Sequence, residues 1–139
     1  MTPIVHLQEN IPASSKSVFE AWTVPGLMVQ WLFKSPDNKI AVPLQELVNG
    51  GKYSILETTA GNEKIDHFGT YLAIVPGELL SFTLEVPWHF PGVTTVVIHF
   101  KTAGEGYCLM DFQQSGVDPK IVTANWQTMF TQLKSILTI

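Results

Sequence analysis

The sequence predicts an α+β fold in which a curved antiparallel sheet wraps around one long C-terminal helix, with two short helices after the first strand. Three observations carry this. Six segments between Ile40 and Gln114 follow one another with a period-two apolar pattern or strand-like composition. The last twenty residues keep an unbroken 3.6-residue apolar period. Hydrophobic residues make up 45% of the 139, while charged residues are 14%, against about 25% in an average soluble domain.

Ile4 to Ile11 forms the first strand, ended by Pro12 and Ala13. Ser14 or Ser15 caps a helix whose Val18, Phe19 and Trp22 share one face. Pro25 breaks that helix and opens a second, with Leu27, Met28, Trp31 and Leu32 as its apolar stripe. Ile40 to Val48 and Tyr53 to Thr59 are strands about Asn49-Gly50-Gly51, a hairpin signal. His67 to Val75, Leu79 to Val86, Val93 to Phe100 and Tyr107 to Gln114 continue an antiparallel meander. Alternation predicts an inward face of Leu80, Phe82 and Leu84; of Val96, Ile98 and Phe100; and of Cys108, Met110 and Phe112. Asp118 caps the last helix, which begins near Pro119 and runs for about five turns through Val122, Trp126, Phe130, Leu133 and Leu137. An amphipathic helix of that length has to lie on the sheet, and a sheet curling around it leaves a gap that side chains do not fill.

With no repeat, linker or low-complexity tract, residues 1–139 read as a single domain. The formal charge of -4 is the wrong sign for gripping nucleic acid or anionic lipid. No apolar run reaches the roughly 20 residues of a membrane span, and the N-terminus lacks a signal-peptide pattern, so the expected location is the cytoplasm. The apolar excess calls for an internal cavity or a subunit interface. A homodimer through the sheet or through the aromatic loop holding Trp88 and Phe90 is the second of these.

Candidate chemistry is sparse. His6, His67, His89 and His99 form no pair at ligand spacing, and the single Cys108 has no Cys or His beside it, so no metal site is expected. His99 alternates onto the outer sheet face; His67 and His89, near a strand end and in a loop, are expected to meet solvent. There is no Gly-x-Ser-x-Gly elbow, and Gly104-Glu105-Gly106 is a hairpin turn rather than a dinucleotide loop. No cofactor is implied. Glu57 is the most informative residue: alternation with Tyr53 and Ile55 points it inward, whereas a bulge at the adjacent glycines would turn it to water. Inward and unpaired, its carboxyl would titrate high, and no Lys or Arg stands at an obvious partnering position.

The local wording resembles a known family. Its carriers are Pro12-Ala13-Ser14 leading to Val18-Phe19-Glu20-Ala21-Trp22, then Trp31, then Gly50-Gly51-Lys52-Tyr53. Gly69-Thr70-Tyr71-Leu72, Leu79-Leu80-Ser81-Phe82-Thr83, Gln114-Ser115-Gly116-Val117, and Asn125-Trp126 with Leu133 and Leu137 complete the series. In that order they resemble the activator of heat shock protein 90 ATPase homologues (AHSA-type), within the START-like or SRPBCC (Bet v 1-like) superfamily. The resemblance covers nearly the whole chain. It implies a helix-grip fold with a cavity between the long helix and the sheet. Two positions depart from it: Gln114 stands where relatives often carry His, and Glu57 where they usually carry an apolar residue.

The expected function is therefore non-enzymatic binding of a small apolar or amphipathic molecule between the last helix and the sheet. Expected walls are Tyr53, Ile55 and Glu57 from one strand, Phe82, Phe112 and Gln114 from the later strands, and Trp126, Met129 and Phe130 from the helix. One alternative is regulation of the heat shock protein 90 chaperone ATPase, which the resemblance suggests. It ranks lower, because activators of that kind carry an additional N-terminal domain that this sequence lacks. A second alternative is an enzyme using Glu57 as general acid or base in the same cavity.

Overall fold

A computed structural model describes residues 4–137. Seven strands form one antiparallel sheet in the order β1-β7-β6-β5-β4-β3-β2, so β1 and β2 are its two edges and the sheet is open. The strands are β1 (Ile4–Ile11), β2 (Lys39–Gln45), β3 (Lys52–Thr58), β4 (Lys64–Val75), β5 (Leu79–Leu84), β6 (Thr94–Thr102) and β7 (Cys108–Ser115). Helices α1 (Ser15–Thr23) and α2 (Pro25–Met28) follow β1, and α3 (Pro119–Leu137) closes the described chain. This is the helix-grip arrangement.

The local causes are those in the sequence. Ser14 Oγ accepts from the Ser17 N–H and caps α1. Asp118 does the same at α3 through the Lys120 N–H. The buried face of α3 is Val122, Trp126, Met129, Phe130 and Leu133, a 3.6-residue stripe. All nine residues expected on the inward face of β5, β6 and β7 are buried. Sheet and helix thus oppose apolar faces, and each buried Leu, Ile, Val or Phe side chain contributes about 1.5–3 kcal/mol of transfer free energy.

Several boundaries differ from expectation, among them the end of β6, which lies at Thr102 instead of Phe100. β2 stops at Gln45, two residues past Pro43 and a register shift between Ala41 and Leu44, instead of reaching Val48. The segment from Glu46 to Gly51 is a loop, longer than the expected turn about Asn49-Gly50-Gly51. It leans on β4, where Gly50 N–H donates to the Tyr71 carbonyl and Ile74 N–H to Asn49 Oδ1. Gly51 is required there, because an added Cβ would lie 2.0 Å from the Glu46 carbonyl oxygen. β5 ends at Leu84, two residues short of Val86. α2 is only four residues long, and the apolar stripe continues through turns to Phe33, whose φ of +57° ends helical geometry. The start of β4 matters most for the site. β4 begins at Lys64, three residues before the expected start, which places His67 inside a strand.

Candidate functional site

The inward side chains of β3 are Tyr53, Ile55 and Glu57, and those of β4 include Ile65, His67 and Tyr71. Ile55 pairs with His67 and Glu57 with Ile65, so Glu57 and His67 are diagonal neighbours on the same face. Glu57 Oε1 is 3.1 Å from His67 Nε2, and Asn38 donates Nδ2–H to Glu57 Oε2 at 2.9 Å. The strand phase thus carries Glu57 inward, at 16% side-chain exposure. It is not unpaired: its partners are a histidine and an amide rather than a Lys or Arg.

His67 itself departs from expectation, since it is 3% exposed and does not meet solvent. Burial lowers its pKa, with the hydrogen bond and charge of Glu57 pulling the other way. Its ring lies against Phe33, with centroids 3.8 Å apart and planes 13° apart. Its Nδ1 has no hydrogen-bond partner among the described residues.

The loop from Phe33 to Asn38 holds this arrangement from above. Asn38 Nδ2 also donates to the Phe33 carbonyl, and Asn38 Oδ1 accepts from the Ser35 N–H. Lys34 Nζ donates to the Asn38 carbonyl. Two bonds tie the loop to α3: the Phe33 N–H donates to Met129 Sδ at 3.2 Å, and Gln132 Nε2 to the Lys34 carbonyl at 3.0 Å.

Between this loop, α3, the 87–93 loop and the ends of β3, β4 and β5 lies a cavity of about 390 Å³. That is within the range of small-molecule sites. Glu57, His67 and Asn38 form its polar corner, while Phe33, Leu84, Val86 and Met129 supply apolar wall. Asn125 and Thr128, both exposed on α3, stand at the mouth with His89 and Phe90. Trp88 does not line it and is 57% exposed.

The expected wall residues divide into three groups. Glu57, Gln114, Trp126 and Met129 line the cavity. Tyr53, Ile55 and Phe82 border a separate void of about 20 Å³, which Trp126 also touches. The Tyr53 hydroxyl is spent on the Thr83 carbonyl at 2.6 Å, and burial raises its pKa well above the usual tyrosine value. Phe112 and Phe130 sit in the aromatic core, with ring centroids 5.2 Å apart. Gln114 reaches the cavity with its polar atoms already engaged: Nε2 donates to Thr94 Oγ1 at 3.0 Å, and Oε1 accepts from Trp126 Nε1 at 2.8 Å. Among the described residues no three His, Cys, Asp or Glu side chains cluster closely enough to hold a metal ion.

Sequence reasoning missed His67, Asn38 and Phe33. A signal existed for the first: Ile65, His67 and Tyr71 share one strand phase, and the two apolar members face inward.

The fold and the cavity define a helix-grip protein of the START-like type. Over residues 12–138 the chain matches the model of a family described as activator of Hsp90 ATPase homolog 1-like protein, and it belongs to that family. Comparison with curated proteins finds no match. Among solved structures, it is similar to a protein from Chromobacterium violaceum at 22% identity and a TM-score of 0.85, covering 96% of each chain. An AHSA1-like protein from Aeromonas hydrophila is similar at 19% identity and a TM-score of 0.82, over 96% of this chain and 90% of that one. A protein from Rhodobacter sphaeroides has 15% identity and a TM-score of 0.82, over 99% and 97%. Among the described residues, no helix is long and apolar enough to cross a membrane.

Proposed function

We propose that this protein binds a small amphipathic molecule in the cavity between α3 and the sheet, without transforming it. One observation carries the reading. A space of about 390 Å³ with largely apolar walls has a polar corner, Asn38–Glu57–His67, in place of the side chains that would fill it. A solid core would set apolar groups there, since a buried polar atom without a partner, such as His67 Nδ1, is costly. An apolar body against Phe33, Leu84 and Met129, with a polar end at Glu57 and His67, matches such a lining.

The alternative in which Glu57 acts as general acid or base gains little from this geometry, because both of its oxygens already accept hydrogen bonds. Regulation of a chaperone ATPase rests on the family resemblance alone. The test uses 2-naphthol as a probe and Asn125→Trp as a plug. Asn125 is exposed at the mouth, so the substitution is expected to change stability by no more than about 0.5 kcal/mol. Calorimetric titration is expected to find saturable binding to the natural protein and at least tenfold weaker binding to the variant. Absence of binding to the natural protein would overturn the reading.

A further inference from the structure

Resting on that reading of the cavity, we propose that its occupant presents a hydroxyl, phenolic or alcoholic, and that His67 Nδ1 is the atom that accepts the hydroxyl hydrogen bond. Glu57 would then act as a positioning residue, fixing which imidazole nitrogen is bare.

Each proton at the polar corner follows from which atoms can donate. Asn38 donates an N–H to Glu57 Oε2, leaving Oε1 to face His67 Nε2 at 3.1 Å. A carboxylate only accepts, so the hydrogen in that second contact belongs to Nε2. A neutral imidazole has one N–H, and Nδ1 therefore carries a lone pair. That lone pair is buried and has no partner among the described residues. Buried polar atoms in folded proteins are nearly always paired, and an orphan beside a cavity marks where a partner is missing from the set of protein groups.

The rest of the corner is already engaged. Gln114 is used by Thr94 and Trp126, and Lys34 Nζ and the Asn38 amide are taken up by the 33–38 loop. Among the buried side-chain polar atoms of the described residues, His67 Nδ1 is the one with no hydrogen-bond partner at all, and it is an acceptor. The negative charge of Glu57 beside it disfavours an anionic end such as a carboxylate at that atom, and the Lys34 ammonium, also in the lining, is engaged by the Ser35 and Asn38 carbonyls. Phe33, flat against the imidazole, and His89, with its ring centroid 6.3 Å away, both line the cavity.

Three probes of one shape test this at neutral pH: 2-naphthol, 2-methylnaphthalene and 2-naphthoate. 2-Naphthol is expected to bind about tenfold tighter than 2-methylnaphthalene, the effect of one net hydrogen bond, and 2-naphthoate to bind most weakly. His67→Phe should make 2-naphthol and 2-methylnaphthalene equal. Because that variant could fold poorly, the natural protein with ¹⁵N-labelled histidine gives a second reading. The Nδ1 resonance of His67 should move on adding 2-naphthol and stay in place with 2-methylnaphthalene. Equal affinities with an unmoved Nδ1, or tightest binding of 2-naphthoate, would overturn the proposal and leave the cavity reading standing. Failure of all three probes to bind would overturn both.

Discussion

Trp126 separates two interiors built from the same helix and sheet. On one side its ring meets Phe112 and Trp22, with centroids 4.6 and 6.0 Å away, in an aromatic cluster that also holds Trp31 and Phe130. Every indole nitrogen there is accounted for: Trp22 faces Met110 Sδ, Trp31 donates to the Ala21 carbonyl, and Trp126 donates to Gln114. On the other side lies the cavity, with a His–Glu–Asn corner and an imidazole nitrogen left bare. The difference teaches that a helix-grip fold does not leave its gap by default. Large rings close one half, and the gap survives where β3 and β4 present Glu57 and His67 instead.

The comparison is broken most forcefully from the packed side. Phe112→Ala removes a ring fully buried among Trp22, Trp126 and Phe130, and is expected to cost about 3–5 kcal/mol in urea-induced unfolding. A cost below about 1 kcal/mol would mean that the cluster is loosely packed and that the two halves do not differ.

Gln114 sits on the boundary, so its loss should be intermediate. Gln114→Leu leaves the buried Trp126 indole N–H without its acceptor and is expected to cost about 1–3 kcal/mol, measured the same way. The Trp126 fluorescence should shift as the indole loses its partner.

The smallest effect belongs to the cavity side and is a pH slope. Burial lowers the pKa of His67 from its ordinary value, with Glu57 opposing. The unfolded chain therefore binds a proton more readily than the folded one, and the contribution of neutral His67 to stability is present above about pH 6.5 and lost as pH falls. Unfolding free energies measured from pH 7.5 to 5 should fall more steeply for the natural protein than for His67→Phe. Equal slopes would place His67 in contact with water.

How far the site could be read beforehand depended on how each residue is positioned. The inward faces of β5, β6 and β7 follow from alternation alone, because every inward position is apolar and nothing competes with the pleat. Glu57 was legible in part: its phase with Tyr53 and Ile55 pointed inward, while a bulge at the adjacent glycines offered the opposite outcome. Its partner was not, because starting β4 at His67 removed Ile65, the residue that fixes the phase. Asn38 and Phe33 lie beyond any periodic signal. Phe33 adopts a left-handed φ that local sequence does not favour for a bulky side chain. It is held there by contacts with Met129 and Asn38, distant or across a loop in the chain. Division of the aromatic residues between core and cavity was equally closed to pattern reasoning, since Phe112, Trp126, Met129 and Phe130 all satisfy the same inward rule.

The most direct measurement uses methionine methyl groups as reporters on the two sides. Met129 lines the cavity, whereas Met110 is fully buried beneath Trp22 in the packed half. In a protein with ¹³C-methyl methionine, adding 2-naphthol should displace the Met129 resonance in a saturable way and leave that of Met110 unchanged. A spectrum in which neither resonance moves, or in which Met110 moves as far as Met129, would contradict the account.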